Sequence, residues 1–257
     1  MVRLSMRMHI LNRSENYSRF SMNQASESDP ITLFRSNWAT YQKLLEHNYM
    51  FHHELVDASQ RLIQAIDRPI SLVDLGCGDA TLSQTLFKNN QISRYIACDL
   101  SQPALQLAKT NLAPWSSQLE LNCLDMLEQL RQIPDCALDL VFSSYAIHHL
   151  NDQSKLALFK ECFRVLKQSG SFVLIDVMRN NRQSRDDYLD QYLCMVENDW
   201  VAISSIERAR ITEHVRANDF PLSPSEYQSL ARQAGFHQED LLDAHGFHQA
   251  WAYQRLS

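Results

Sequence analysis

The sequence predicts an α/β fold: a mostly parallel sheet with helices packed on both faces. Three observations carry that prediction. Short apolar runs at 70–75, 95–98, 119–124, 138–143 and 171–177 alternate with amphipathic helical stretches, the crossovers that parallel neighbours require. Apolar residues make up 45% of the 257-residue chain and charged residues 21%, which is ordinary for a globular protein and unlike a disordered one. Glycine is scarce, at five residues, so each is expected where backbone geometry demands it.

Residues 1–30 are polar and close on Asn23 to Pro30, a stretch expected to be a disordered lead-in. Arg3, Arg7, Arg13 and Arg19 face only Glu15 there, so a targeting segment is one reading. A translated extension is favoured, because Met6, Met8 and Met22 offer later starts. Residues 31–69 read as lid helices, with Leu44, Leu45, Leu55, Leu62, Ile63 and Ile66 as an interrupted apolar stripe that Pro69 ends.

The domain proper is expected over 70–257. Strand 70–75 leads into helix 81–88, and strand 95–98 into helix 102–111, which has Pro103 in its first turn. Strands at 119–124 and 138–143 follow. The clearest helix runs over 152–167: Leu156, Phe159, Phe163 and Leu166 share a face, Asn151 or Asp152 caps its start, and Gly170 lies just past its end. Strand 171–177 is the fifth. Residues 179–222 then hold two helical stretches, 184–200 and 204–217, and no strand, which marks an inserted cap. A helix over 225–234 stops at Gly235, and runs at 241–244 and 247–255 form a closing hairpin across His245-Gly246.

Composition limits the partners. Lys and Arg number 24 against 30 Asp and Glu, a formal charge of −6, so nothing pulls the whole chain onto nucleic acid. No run approaches the ~20 apolar residues of a membrane span. The six cysteines are scattered without a CxxC, which suits free thiols in a reducing, cytoplasmic setting. His47, His52, His53 and Glu54 lack the i, i+4 histidine pairing of a metalloprotease helix, so no metal is expected.

In an open parallel sheet, ligands bind beyond the carboxyl ends of the strands. The first strand ends in Asp74-Leu75-Gly76-Cys77-Gly78-Asp79-Ala80, where two glycines allow a sharp turn and close backbone approach. The second ends in Asp99-Leu100, a carboxylate suited to two ribose hydroxyls. The third is followed by Asp125-Met126, an acceptor for an exocyclic amine beside an apolar face for a purine. The fourth ends in Ser143-Ser144-Tyr145-Ala146-Ile147-His148-His149-Leu150. A dinucleotide fingerprint needs a third small residue where Thr81 stands. Asp74 suits a cofactor with a cationic end better than one carrying phosphates.

With these motifs, residues 70–256 resemble a class I S-adenosylmethionine-dependent methyltransferase of the small-molecule type. Leu72 to Gly78 resembles the family's first motif, Asp99 its ribose-binding acid, Asp125 its adenine-contacting acid and Leu138 to Ser143 its fourth-strand motif. Leu166-Lys167-Gln168-Ser169-Gly170-Ser171-Phe172 is similar to the turn before the fifth strand, with Gln168 and Ser169 in place of Pro-Gly. Ala80 stands where many members have a third glycine. The resemblance implies a Rossmann-like three-layer fold, seven strands ordered 3-2-1-4-5-7-6 with the seventh antiparallel, and a helical cap. It implies S-adenosylmethionine as cofactor and S-adenosylhomocysteine as product. Asp74, Gly76, Cys77, Gly78, Asp99, Leu100, Asp125, Met126, Ser143 and Ser144 are the expected cofactor residues.

Methyl transfer from a sulfonium is an in-line displacement that needs mainly alignment and exclusion of water. His148 is the favoured base candidate and His149 the second. Asp176 could orient an acceptor amine or hydroxyl, or could equally pair with Arg179. Tyr41, Tyr49 and His53 of the lid, Tyr145, and Tyr188 and Tyr192 of the insertion are the expected acceptor-binding residues. The expected reaction is methylation of a small-molecule O or N acceptor. Methylation of protein or RNA, and a non-catalytic partner protein, are the alternatives.

Overall fold

The computed structural model describes residues 38–256. The lead-in expected over 1–30 and the first part of the lid lie outside them. Two helices come first, α1 (Trp38–Glu46) and α2 (His52–Gln64). The alternation follows as β1 (Ile70–Leu75), α3 (Thr81–Phe87), β2 (Ile92–Cys98), α4 (Gln102–Asn111), β3 (Leu119–Asn122), α5 (Met126–Arg131), β4 (Leu138–Ser144), α6 (Asp152–Val165) and β5 (Leu166–Val177). The insertion is α7 (Arg185–Asp199) and α8 (Ser205–Asn218). Helix α9 (Pro224–Ala234) then leads to β6 (Gln238–His245) and β7 (His248–Gln254).

The sheet order is β3-β2-β1-β4-β5-β7-β6. The first five strands pair in parallel and β7 runs antiparallel to both its neighbours. This is the Rossmann-like order that the resemblance implies.

Side chains alternate between the two faces of the sheet, as the pleat requires. Leu72, Tyr95, Ala97, Leu140, Phe142, Val173 and Ile175 pack with Leu55, Ile63, Phe87 and the insertion's Tyr188, Leu189, Tyr192 and Val196. Val73, Ile96, Val141, Phe172 and Leu174 face the other way, onto Leu158, Phe159, Cys162, Tyr227 and Phe236. The strands read as continuous apolar runs because both faces are covered. The insertion and α2 therefore share one layer with α3 and α4.

Three details differ from the sequence reading. Helix α6 stops at Val165, because Leu166 already pairs with Leu138. Arg255 takes the helix-end carbonyls of Phe163 (2.8 Å) and Leu166 (2.7 Å), so strand pairing rather than Gly170 ends the helix. The six-residue α5 has too short a periodic pattern to read from sequence, and it starts because Asp125 caps it. Asp139, at the amino end of β4, is a structural clamp. Its buried carboxylate accepts from Ser71 N (2.8 Å) and Oγ (2.7 Å), from Lys167 (3.0 Å) and from Arg68.

Among the described residues, no helix is long and apolar enough to cross a membrane.

Candidate active site

The turns after β1, β2, β3 and β4 meet around one cavity of about 280 Å³, walled by Asp74, Gly76, Cys77, Gly78, Asp99, Leu100, Asp125, Met126 and Ser144. Helix α1 contributes Tyr41, and the turn after β4 contributes Tyr145, Ala146, His149 and Leu150. Local chemistry shapes each turn. Gly76 has φ +68°, and a Cβ there would lie 2.6 Å from the Ala146 Cβ, so only glycine lets the first and fourth turns touch. Gly78 has φ +55°, and a Cβ on it would meet nothing within 4 Å, which leaves open space for a ligand against the backbone.

The acids are held by the backbone around them. Asp99 accepts from Gly78 N (2.9 Å) and Ser101 N (2.7 Å), fixing its carboxylate between two turns. Asp125 uses Oδ1 to cap α5 through Leu127 N (2.8 Å). Asp74 is 1% exposed, and its Oδ2 takes the hydroxyls of Ser83 (2.6 Å) and Tyr95 (3.0 Å). Burial pushes the Asp74 pKa up to about 7, and burial also raises that of Asp99. Ser144 Oγ is buried in the wall without a hydrogen-bond partner.

Several expected site residues fall elsewhere. Ser143 is outside the wall: its hydroxyl donates to the Leu75 carbonyl (2.9 Å) and ties β4 to β1. Tyr49 stacks on Trp200 (5.4 Å between centroids) and accepts from Ala202 N (2.8 Å), so it fastens the lid turn to the insertion. His53 is exposed, while its neighbour His52 is 1% exposed. Tyr188 and Tyr192 stack on each other in the layer between insertion and sheet, not on the cavity. Tyr145 is in the wall, and its hydroxyl donates to the Met50 carbonyl, linking the fourth turn to the lid.

Of the expected catalytic residues, His148 and Asp176 are buried beside the cavity and the half-buried His149 reaches its wall. Asp176 accepts from His148 Nδ1 (2.5 Å) and from its backbone N–H (3.0 Å). It does not pair with Arg179, which goes to Glu226 (2.5 Å). Burial alone would lower the His148 pKa, but the carboxylates of Asp176 and Asp219 outweigh it and hold the pKa above the ordinary value. Burial, and then the neighbouring His148 and His214, push His149 well down.

Sequence reasoning missed Asp79, Thr81, Ser83 and Ser101, which line the cavity, although Asp79 stands inside the quoted glycine motif. It also missed Asp219. A lone acid before Phe220-Pro221 carries no spacing signal.

The model of the methyltransferase domain family matches residues 72–170. An uncharacterised methyltransferase of Oceanobacillus iheyensis is 26% identical over 152 residues, 59% of this chain and 63% of that protein. Tabersonine 16-O-methyltransferase of Catharanthus roseus is 23% identical over 177 residues, 64% of this chain and 47% of that enzyme. The chain thus spans less than two thirds of the length of these relatives. A solved structure described as a possible sarcosine dimethylglycine methyltransferase, from Galdieria sulphuraria, superposes with a TM-score of 0.56 at 16% identity, over 79% of this chain and 84% of that one; this likeness is one of fold. Residues 72–170 thus match a methyltransferase domain, and the fold is shared with solved methyltransferase structures.

Proposed function

We propose that the protein transfers a methyl group from S-adenosylmethionine to an O or N atom of a small molecule. One observation carries this reading: four successive strand-end turns converge on a single cavity, three bearing acids and two pressed together at Gly76. The wall fits the cofactor. Asp74, Asp79, Asp99 and Asp125 line it without any Lys or Arg, a set of acceptors for hydroxyls, amines and positive charge. Gly78 leaves open space over the backbone, and Ser144 Oγ has its hydrogen bond to give.

Asp99 would hold the ribose hydroxyls, Asp125 the adenine amine with Met126 against the ring, and Asp74 the positively charged amino-acid end. When bound, S-adenosylmethionine supplies an activated methyl group. The chain's own contribution is to position and to exclude water, which can supply up to ~7–11 kcal/mol of the barrier. Tyr41 of α1 and Tyr145 border the same cavity, and their enclosure of it favours a small acceptor over a polymer.

Calorimetry with S-adenosylhomocysteine tests the reading. One site per chain is expected, and Asp99→Ala should weaken binding by roughly 10–100-fold, the loss of hydrogen bonds to a charged group. An intact protein that takes up no S-adenosylhomocysteine would rule the function out. Radiolabel transfer from the cofactor into a metabolite extract would then find the acceptor.

A further inference from the structure

We propose that His148, His149 and Asp219 form a binding site for one divalent transition-metal cation. The site goes beyond the methyl-transfer reading, because cation binding there needs no cofactor. Among the described residues, it is the one group of three or more His, Cys, Asp or Glu side chains whose donor atoms converge, all within 4.8 Å of one another.

Two of the three donor spacings are close to those of atoms sharing a metal. Asp219 Oδ1 stands 3.6 Å from His148 Nε2 and 3.5 Å from His149 Nδ1. Both distances exceed a normal hydrogen bond of about 2.7–3.2 Å. Four-coordinate zinc, at about 2.0–2.1 Å from each donor, places neighbouring donors about 3.4 Å apart. Asp219 is 4% exposed, yet its Oδ1 has no hydrogen-bond partner. A buried carboxylate oxygen left bare beside two imidazole nitrogens is costly unless something positive sits between them.

The surroundings are built as metal sites are. Asp176 grips His148 Nδ1 at 2.5 Å and leaves Nε2 on the Asp219 side, the carboxylate–histidine–metal arrangement that fixes ring orientation. His149 Nδ1 donates to the Asn218 carbonyl (3.2 Å), and a cation taking this nitrogen would displace that proton. The donors come from the turn after β4 and the segment after α8. Phe220 N bonds to the His148 carbonyl (2.9 Å), and Lys155 Nζ to the Phe220 carbonyl (2.7 Å), so the two segments are already joined. Two imidazoles and one carboxylate suit Zn²⁺ and its first-row neighbours rather than Mg²⁺ or Ca²⁺, which prefer all-oxygen shells. Because His149 is part of the cavity wall, a cation there stands directly behind the proposed cofactor site.

The test is titration of Co²⁺ into the full chain after chelator treatment, read by visible absorption, with Zn²⁺ as competitor. One equivalent is expected to bind with the intense bands of a four-coordinate ion and to be displaced by Zn²⁺. Asp219→Asn and His149→Gln should each weaken binding at least about 100-fold, and Asp176→Asn about 10–100-fold through the orientation of His148. His53→Gln, on the surface, should change nothing. Absence of a saturable first equivalent, or equal binding by both ligand variants, overturns the proposal. If Asp219→Asn fails to fold by circular dichroism, His149→Gln decides. S-adenosylhomocysteine is titrated in parallel: binding of Co²⁺ without it removes only the proposed function, and the reverse removes only the metal site.

Discussion

In the proposed function, Asp74 is the buried side chain that couples cofactor affinity to pH. With its pKa pushed up to about 7 by burial, the ligand-free protein keeps this carboxyl largely protonated below neutrality. The folded value lies above the unfolded ~3.9, so Asp74 makes the ligand-free protein less stable as pH rises from about 4 to about 7. A cationic ligand reverses the preference, because it favours the carboxylate. The dissociation constant of S-adenosylmethionine should therefore rise as pH falls from 8 to 6, by at most about tenfold per unit. Asp74→Asn should bind weakly with a flat profile; a wild-type profile equally flat would disconnect Asp74 from the ligand. The position of this acid was legible, since it precedes two glycines at a strand end. Its neighbours were harder. Sequence places His52 beside His53 and His148 beside His149, and nothing in a doublet says which ring turns inward. The structure buries His52 and exposes His53, and it puts His149 rather than His148 in the cavity wall. Helix phase and cavity contacts make that choice, and both are tertiary facts.

Elements were legible where a period or a cap marked them. The five parallel strands announced themselves as apolar runs, and Asn151, one of the two cap candidates for α6, accepts from Ser154 N; the caps Ser101 of α4 and Ser184 of α7 went unread. What sequence could not supply is how elements are tied at the end of the sheet opposite the cavity, and Asp139 illustrates this. It reads as one acid inside a strand motif, yet it joins β4 to the start of β1 through Ser71, to the preceding turn through Arg68 and to β5 through Lys167. Burial alone would raise its pKa, but Ser71, Arg68 and Lys167 outweigh burial and bring it down to about 2. Because the folded value is depressed below ~3.9, the clamp's contribution is present above about pH 4 and fades as pH falls through 2. Asp139→Asn should cost about 1–3 kcal/mol at pH 7, as for a buried hydrogen-bonded charge. Urea midpoints of the two proteins should draw together near pH 2, and a gap that stays constant with pH would mean that packing rather than charge is lost.

At the scale of the whole molecule, the cavity is closed by parts far apart in sequence. Helix α1 reaches it through Tyr41, and Gln42 donates to Asp79 (3.3 Å) at the glycine turn. The insertion holds α1 from the other side. Glu207 of α8 accepts from Lys43 (2.8 Å) and Thr40 (3.1 Å) while also completing the capping box with Ser204. Hydrogen bonds from Lys43 and Ser204 bring its pKa down to about 2, so it is charged at any working pH. Glutamine serves a capping box as well as glutamate does, so Glu207→Gln should leave α8 intact and remove only the ionic tie to the lid. Lys43 is 41% exposed, and an ion pair that open to solvent contributes about 0.2–1 kcal/mol. Amide exchange over residues 40–46 should therefore quicken about 1.5–5-fold, and S-adenosylhomocysteine should leave faster by a similar factor. High salt should produce the same change in the wild type and none in the variant, because screening removes what the substitution has already removed. If exchange over 40–46 is unaltered while release quickens, α1 is not the barrier to release and α8 acts through the sheet instead.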